Sequence, residues 1–475
     1  MRKVSATAYR KKPGLAVIWF MIMGTLCLST VVPANAVGLQ DWTGYLSGST
    51  HTSYNPNDTT VTPSNVGQLA QKWHWRGDAA TMTGQPGPSL FSSPTVADGA
   101  VYLGSNNGYF YRLDLATGAV LNKVFIGYRP KLTCLARGFI ATATVAADPS
   151  TGADTVYIAA PDGYLYALDA ANLTVKWRSV VDLPSSTVSD YFQWSSPTVA
   201  NGRIYVGSAS HCDKPLTRGA VVGYDQSSGA EFARFYTVPA GLLGGGVWTS
   251  VAVDSDGSVY ASTGTQPKNT LNRYDSVSIV KLDGATLTKL GSYTVPDAEL
   301  GGDGDFGGSP TIFGQFVGAC SKNGMYYALD RATMSLAWKV RIGAKSSSAS
   351  PAQCSAAAAY DGTYLYMVGD PTTINGVAYR GSVRRIDPLT GAFLWETGLP
   401  NSVLSSPTVN GAGMVAVGTY DFTATPNAVY LVDAKTGQII RTLNTGGNTF
   451  AQTVFADGYL FTANIGKNLQ VYHLP

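Results

Sequence analysis

Residues 320–338 read CSKNGMYYALDRATMSLAW. The tight turn at the start of this stretch carries a cation, Lys322. The matching slot elsewhere in the chain holds Asn106 (in NNGYFYRLD) or Pro161 (in PDGYLYALD). A loop lysine is ordinarily just solvated. A cation confined to one copy of a repeated turn is a departure that calls for a reason. Upstream, DGDFG sets two carboxylates, Asp303 and Asp305, two residues apart, and a carboxylate is a proton acceptor. Trp248, in GGGVWTS, offers a flat indole that can cover one face of a ring. Other chemistries find no support. The four histidines (His51, His74, His211, His473) are scattered, and neither a CxxCH haem motif nor an HExxH zinc motif is present.

The elements that position these residues are strands. Of 475 residues only 13% are charged, while glycine (53) and tyrosine (27) are plentiful, a composition that suits an all-β protein with many tight turns. The chain also repeats itself. SSPTVADGAVYLG, SSPTVANGRIYVG and SSPTVNGAGMVAVG are copies of one half-unit, and YLYALDAANLTVKW and MYYALDRATMSLAW are copies of the other. Marker aspartates at 114, 169, 225, 283, 330, 387 and 433 are spaced by 46 to 58 residues, room for four short strands each. Four-stranded units repeated around an axis are propeller blades. After the seventh marker the chain ends in TVFADGYLFTANIGKNLQVYHLP, a unit without its outer strand. PSNVGQLAQKWHW, residues 63–75, has the form of that missing strand. The reading is an eight-bladed β-propeller whose ring is closed by an N-terminal strand completing the last blade, with no open edge at the junction. Trp177, Trp338 and Trp395 recur at equivalent places and are read as packing between blades.

The N-terminus reads as a targeting segment. Arg2, Lys3, Arg10, Lys11 and Lys12 precede an apolar run from Gly14 to Val32, and Ala34-Asn35-Ala36 offers a small-x-small cleavage site. Residues 1–36 are therefore expected to be a signal peptide, and 37–475 a single propeller domain, secreted or otherwise extracytoplasmic, with no membrane span after signal removal; the alternative is an uncleaved anchor, since the apolar run is almost long enough to span. The whole chain carries 33 basic and 30 acidic residues; without the five basic residues of the leader the balance is 28 to 30, a net −2. That balance excludes a basic nucleic-acid-binding surface as the main feature.

These repeats resemble those of pyrroloquinoline quinone (PQQ) propellers, including the eight-bladed quinoprotein alcohol dehydrogenases and, in detail, the polyvinyl-alcohol dehydrogenase type. The resemblance runs from Trp42 to the C-terminus and rests on WTGYLSGSTHTSYNP, GGGVWTSVAVDSDGSVYASTG, and DGDFGGSPTIF leading into SKNGMYYALD. It implies an alcohol or polyol oxidoreductase with PQQ in the propeller channel. By position, Trp248 matches the stacking indole, Arg137 (in CLARG) a carboxylate contact, Lys322 the cation on the quinone oxygens, and Asp305 the catalytic base. Two departures stand out. Where the family supplies a metal-ligand Glu the nearest position is Ser210, and where it supplies Asn the turn STGT gives Thr265. A Ca²⁺ or lanthanide site is thus incomplete on the family's pattern, with Asp305 and Asp303 the remaining acidic donors and Asp213 a nearby carboxylate that could replace the Glu. The adjacent cysteine pair of some members is also absent.

The four cysteines that follow the leader allow three pairings. Positions one blade apart on one face favour Cys134–Cys212 and Cys320–Cys354. No haem domain is fused, so electrons would leave to a separate acceptor. The domain is expected to be a monomer. The alternative function is a non-catalytic binding or assembly scaffold at the cell envelope, since the same repeat builds such proteins.

Overall fold

The structure, a computed structural model, describes residues 40–268, 270–345, 354–423 and 426–475. The expected signal peptide lies outside the described residues. Eight antiparallel sheets follow one another along the chain. Blade 1 comprises Thr95–Ala97, Ala100–Gly104, Tyr109–Asp114 and Val120–Phe125. Blades 2 to 7 occupy 144–180, 198–236, 252–294, 311–341, 359–399 and 408–444. Blade 8 takes Val454–Ala456, Tyr459–Asn464 and Asn468–His473, and its outer strand is Ala70–Arg76, paired antiparallel with the C-terminal strand. This is the expected closure: the two ends of the ring are held by the backbone ladder of one sheet. Among the described residues no helix is long and apolar enough to cross a membrane.

Burial follows position within each blade. Second strands such as Ala100–Gly104 and Phe316–Cys320 are buried throughout, whereas the outer strand Val120–Phe125 has no buried residue. The marker aspartates cap the turn into the outer strand. Asp114 Oδ1 accepts from the Thr117 N–H at 2.9 Å, and Asp330 Oδ1 from the Thr333 N–H at 2.9 Å. A short carboxylate that satisfies local backbone donors is the usual device for such turns. The tryptophans then join neighbouring blades. The Trp338 indole donates to the Pro388 carbonyl at 3.0 Å and lies over Gly391, whose φ is +74°. Trp73, Trp177 and Trp395 cover Gly118, Gly229 and Gly437 in the same way.

Two further features shape the channel. Backbone N–H groups at the start of most blades donate to a hydroxyl on the next: Ser93 to Thr142 (3.0 Å), Thr142 to Ser196 (2.9 Å), Ser196 to Ser250 (2.9 Å), Ser250 to Ser309 (3.0 Å), and Gln452 back to Ser93 (2.9 Å). A strap over residues 40–55 then runs across the inner strands at their exit ends. Its carbonyls accept from Val145, Val253, Ile312, Tyr360 and Val409, which lie on five different blades.

Candidate functional site

Each blade places one residue against the channel just ahead of its inner strand. The positions are Phe91, Ile140, Trp194, Trp248, Gly307, Ser355, Leu404 and Phe450, and all eight border one cavity of about 190 Å³. The residue two places later in most blades is the belt hydroxyl, and Tyr45 of the strap reaches the cavity and bonds to Ser309 and Ser406. A second cavity of about 330 Å³ shares Trp194, Trp248, Lys322 and Phe450 with the first and adds Asp213, Thr265 and Asp305. The sequence signal for this ring is the residue before each Ser-Ser-Pro or its equivalent. Trp194 and Phe450 could have been found by it and were not.

Three of the expected site residues form one cluster. Asp305 lies in the connection from blade 4 to blade 5, and Lys322 in the turn between the second and third strands of blade 5. The Lys322 N–H donates to the Asp305 carbonyl at 2.9 Å, which fixes one loop against the other. Lys322 Nζ stands 2.9 Å from Asp305 Oδ1 and 3.2 Å from Asp303 Oδ2, and lies 4.9 Å from the centre of the Trp248 ring. Trp248 Nε1 donates to Asp305 Oδ2 at 3.1 Å. Asp303 and Asp305 thus enclose an ammonium. Burial pushes the Asp305 carboxyl up to about 7 against the pull of Lys322, and the Asp303 charge adds to the rise. Burial also opposes the Lys322 charge, but Asp305 and Asp303 outweigh it and hold the ammonium above its ordinary value. Unlike its neutral equivalents in other blades, this turn residue packs its side chain against two carboxylates and an indole.

Space beside the indole is kept by glycine. A Cβ on Gly264 would fall 3.2 Å from Asp305 Oδ2 and 3.3 Å from Trp248 Cδ1, and one on Gly246 would fall 3.2 Å from the Ala209 Cβ. Opposite, Ser210 and Thr265 both donate to one carboxylate. Thr265 Oγ1 lies 2.7 Å from Asp213 Oδ2, and Ser210 Oγ bonds to Oδ1. Asp213 is thus tied to both positions at which the expected metal ligands are replaced. One carboxylate and two hydroxyls, on the wall of the cavity that Asp305 also lines, are oxygens of the kind a hard cation takes. Among the described residues no three His, Cys, Asp or Glu side chains are grouped to hold a metal unaided. A metal here would need further oxygens from a bound ligand.

Arg137 stands elsewhere. It borders neither cavity; its guanidinium stacks over Phe91, 4.6 Å from the ring centre. His211 lines the second cavity but is stacked on Phe192 with centres 4.6 Å apart, and both of its ring nitrogens are buried without a hydrogen-bond partner. Burial, then Arg137 and Arg129, lower it to about 4, so it is neutral at pH 7. The disulfide Cys320–Cys354 is formed, with Cα atoms 5.2 Å apart. Cys134 and Cys212, expected as the second bridge, are free thiols in this structure, although they meet side chain to side chain. The two loops thus bring the cysteines together without a bond between them. Burial and the Cys134 contact push the Cys212 thiol up to about 12.

Known proteins share this architecture. Residues 42–286 match the family profile described as the glucose/ethanol/alcohol dehydrogenase β-propeller domain, and residues 322–451 match that of outer membrane protein assembly factor BamB. Quinohemoprotein alcohol dehydrogenase ADH-IIG of Pseudomonas putida is 27% identical over 250 residues, which are 50% of this chain and 32% of that protein. The polyvinylalcohol dehydrogenase of a Pseudomonas species is 22% identical over 352 residues, 65% of this chain and 52% of the relative. This chain therefore matches between a third and about half of the length of these relatives. The solved structure of ADH-IIG from Pseudomonas putida superposes with a TM-score of 0.70 at 17% identity, covering 92% of this chain and 80% of that one. The first profile spans more than half of the chain and includes Trp248 and Thr265. With the eight closed blades, it establishes that the chain belongs to the PQQ-repeat family of glucose/ethanol/alcohol dehydrogenase β-propellers.

Proposed function

We propose that this chain is an exported quinoprotein that oxidises an alcohol or polyol, with PQQ held in the channel beside Trp248. The observation that carries the reading is the buried Lys322–Asp305–Trp248 cluster, set in a cavity that two glycines keep open. A scaffold has no evident use for a largely buried ammonium paired with the buried Asp305 carboxylate at the channel wall, and burying such a pair is costly. PQQ, when bound, would supply a two-electron quinone acceptor. The protein's own part is then positional. The Trp248 indole can support a flat ring, Lys322 can face the negative charge that develops on reduction, and Asp305 can accept the alcohol proton. Asp213 and Asp305, with Thr265, would hold a Ca²⁺ or lanthanide ion completed by oxygens of the cofactor. Electrons would pass to a separate acceptor, the domain would act as a monomer, and residues 1–36 would direct export and be removed.

The test is a PQQ titration of the purified protein with and without Ca²⁺ or La³⁺, read by absorbance and tryptophan quenching. Saturable binding is expected. Lys322→Ala should weaken it by about 10- to 100-fold, the worth of a lost charge-assisted hydrogen bond, and Trp248→Ala should also weaken it. Absence of binding under every metal condition would overturn the reading. It would favour an assembly scaffold, the alternative that the match of residues 322–451 to the BamB profile supports.

A further inference from the structure

Away from the Lys322 cluster, Cys134 and Cys212 share a cavity of about 340 Å³ on the loop surface, lined also by Lys131, Leu132, Thr133, Leu135 and Lys214. Both thiols are free and half-buried, and they are in side-chain contact. The loop bearing Cys134 is held in place from outside: the Cys134 N–H donates to Ser189 Oγ at 3.2 Å, and Thr133 Oγ1 donates to the Lys214 carbonyl at 2.5 Å. Two thiols in contact, reachable from an open pocket flanked by two lysines, are the makings of an exchange site for an anion that carries a disulfide. Cys212 also lines the cavity of Asp305 and Lys322 and precedes Asp213.

We propose that Cys134 and Cys212 form a thiol–disulfide exchange site for a small anionic disulfide, with glutathione disulfide as the probe. Cys134, on the exposed loop, attacks one sulfur of the probe as its thiolate; a mixed disulfide forms and one glutathione thiol leaves. Cys212 then attacks the Cys134 sulfur, the protein disulfide forms, and the second glutathione thiol leaves. Two electrons pass to the probe, and the two thiol protons end on the two glutathiones. The oxidised form ties the loop after blade 1 to the turn that carries Asp213. Nothing in this step requires a quinone, so it stands or falls separately from the proposed function.

The experiment is thiol counting and peptide mapping of the purified chain in glutathione redox buffers. Excess glutathione disulfide should consume two thiols and give a Cys134–Cys212 peptide, and excess reduced glutathione should reopen it while the buried Cys320–Cys354 bridge persists. Cys212→Ser should stop at one glutathione on Cys134. Reversing both charges, Lys131→Glu with Lys214→Glu, should slow exchange by about five- to tenfold at low salt and leave the rate with a neutral disulfide unchanged. Thiols that stay unreacted would overturn the proposal. So would a bridge that reduced glutathione cannot open, or a rate with glutathione disulfide that is indifferent to the charge reversal.

Discussion

Asp305 is the residue whose chemistry is most constrained by its surroundings. Its carboxyl is pushed up to about 7 by burial, and Lys322 limits the rise. On the proposed function, and with no metal ion bound beside it, Asp305 becomes available as a proton acceptor only as pH climbs through that value, so metal-free quinone reduction by an alcohol should gain rate over about pH 6 to 8. In Lys322→Met the opposing charge is lost and the same limb should move up by about one unit; a single-turnover pH profile reads this directly, and an unmoved limb would remove Lys322 from the titration. The linkage to stability has a definite sign. The folded value exceeds the unfolded one, near 3.9 for an aspartate. The folded chain therefore retains the proton over about pH 4 to 7, and Asp305's contribution to stability is lost as pH rises through that window. Asp213 makes a separate prediction. Asp213→Asn should abolish any Ca²⁺ or La³⁺ enhancement of PQQ affinity while leaving the metal-free affinity within about twofold, because the indole and the ammonium are untouched.

At the scale of elements, the blade junctions carry the argument. Gly391 has φ +74°, and a Cβ there would lie 2.6 Å from Trp338 Cε3. Gly391→Ala thus combines backbone strain with a clash against a ring that is itself hydrogen-bonded, and should cost about 2 kcal/mol or more in denaturant unfolding. Trp338→Ala removes a ring packed on Phe313 and Tyr326 and should cost about 3 to 5 kcal/mol. A loss well under 1 kcal/mol in either variant would show that the junction is not a principal fastening. The turn aspartates act at the same scale: seven of them punctuate the sequence for a structural reason, not a catalytic one.

For the whole molecule, closure is the governing feature. The outer strand of blade 8 comes from residues 70–76 and pairs with 468–473, so the ring is shut by chain segments nearly 400 residues apart. The strap of residues 40–55 adds hydrogen bonds to blades 2, 4, 5, 6 and 7 and carries Tyr45 to Ser309 and Ser406 inside the channel. Tyr45→Phe should cost about 1 kcal/mol, the net worth of a buried hydroxyl's hydrogen bond. Removal of residues 40–55 should lower the melting temperature far more while the far-UV spectrum of the blades is kept. An unchanged melting temperature would mean that the strap is not part of the closure.

Eight blades and a ring closed by an N-terminal strand could be read along the chain, with the strand itself at Ala70–Arg76 inside and just past the expected 63–75, and Lys322 stood out as a cation in a turn whose equivalents are neutral. These are written in periodic patterns: alternation along strands, aspartate and glycine at each turn, and one cation where its equivalents are neutral. Local patterns survive in one dimension because each turn and strand uses neighbours in the chain. The folded chain was needed to show that Ser210 and Thr265 both bond to the Asp213 carboxylate. It also decided that Arg137 lies on Phe91 instead of bordering the cavities, and that Cys134 and Cys212 meet as thiols. Apart from Ser210 and Asp213, which share one turn, those contacts join loops of different blades several tens of residues apart, and no local pattern fixes the distance between two loops.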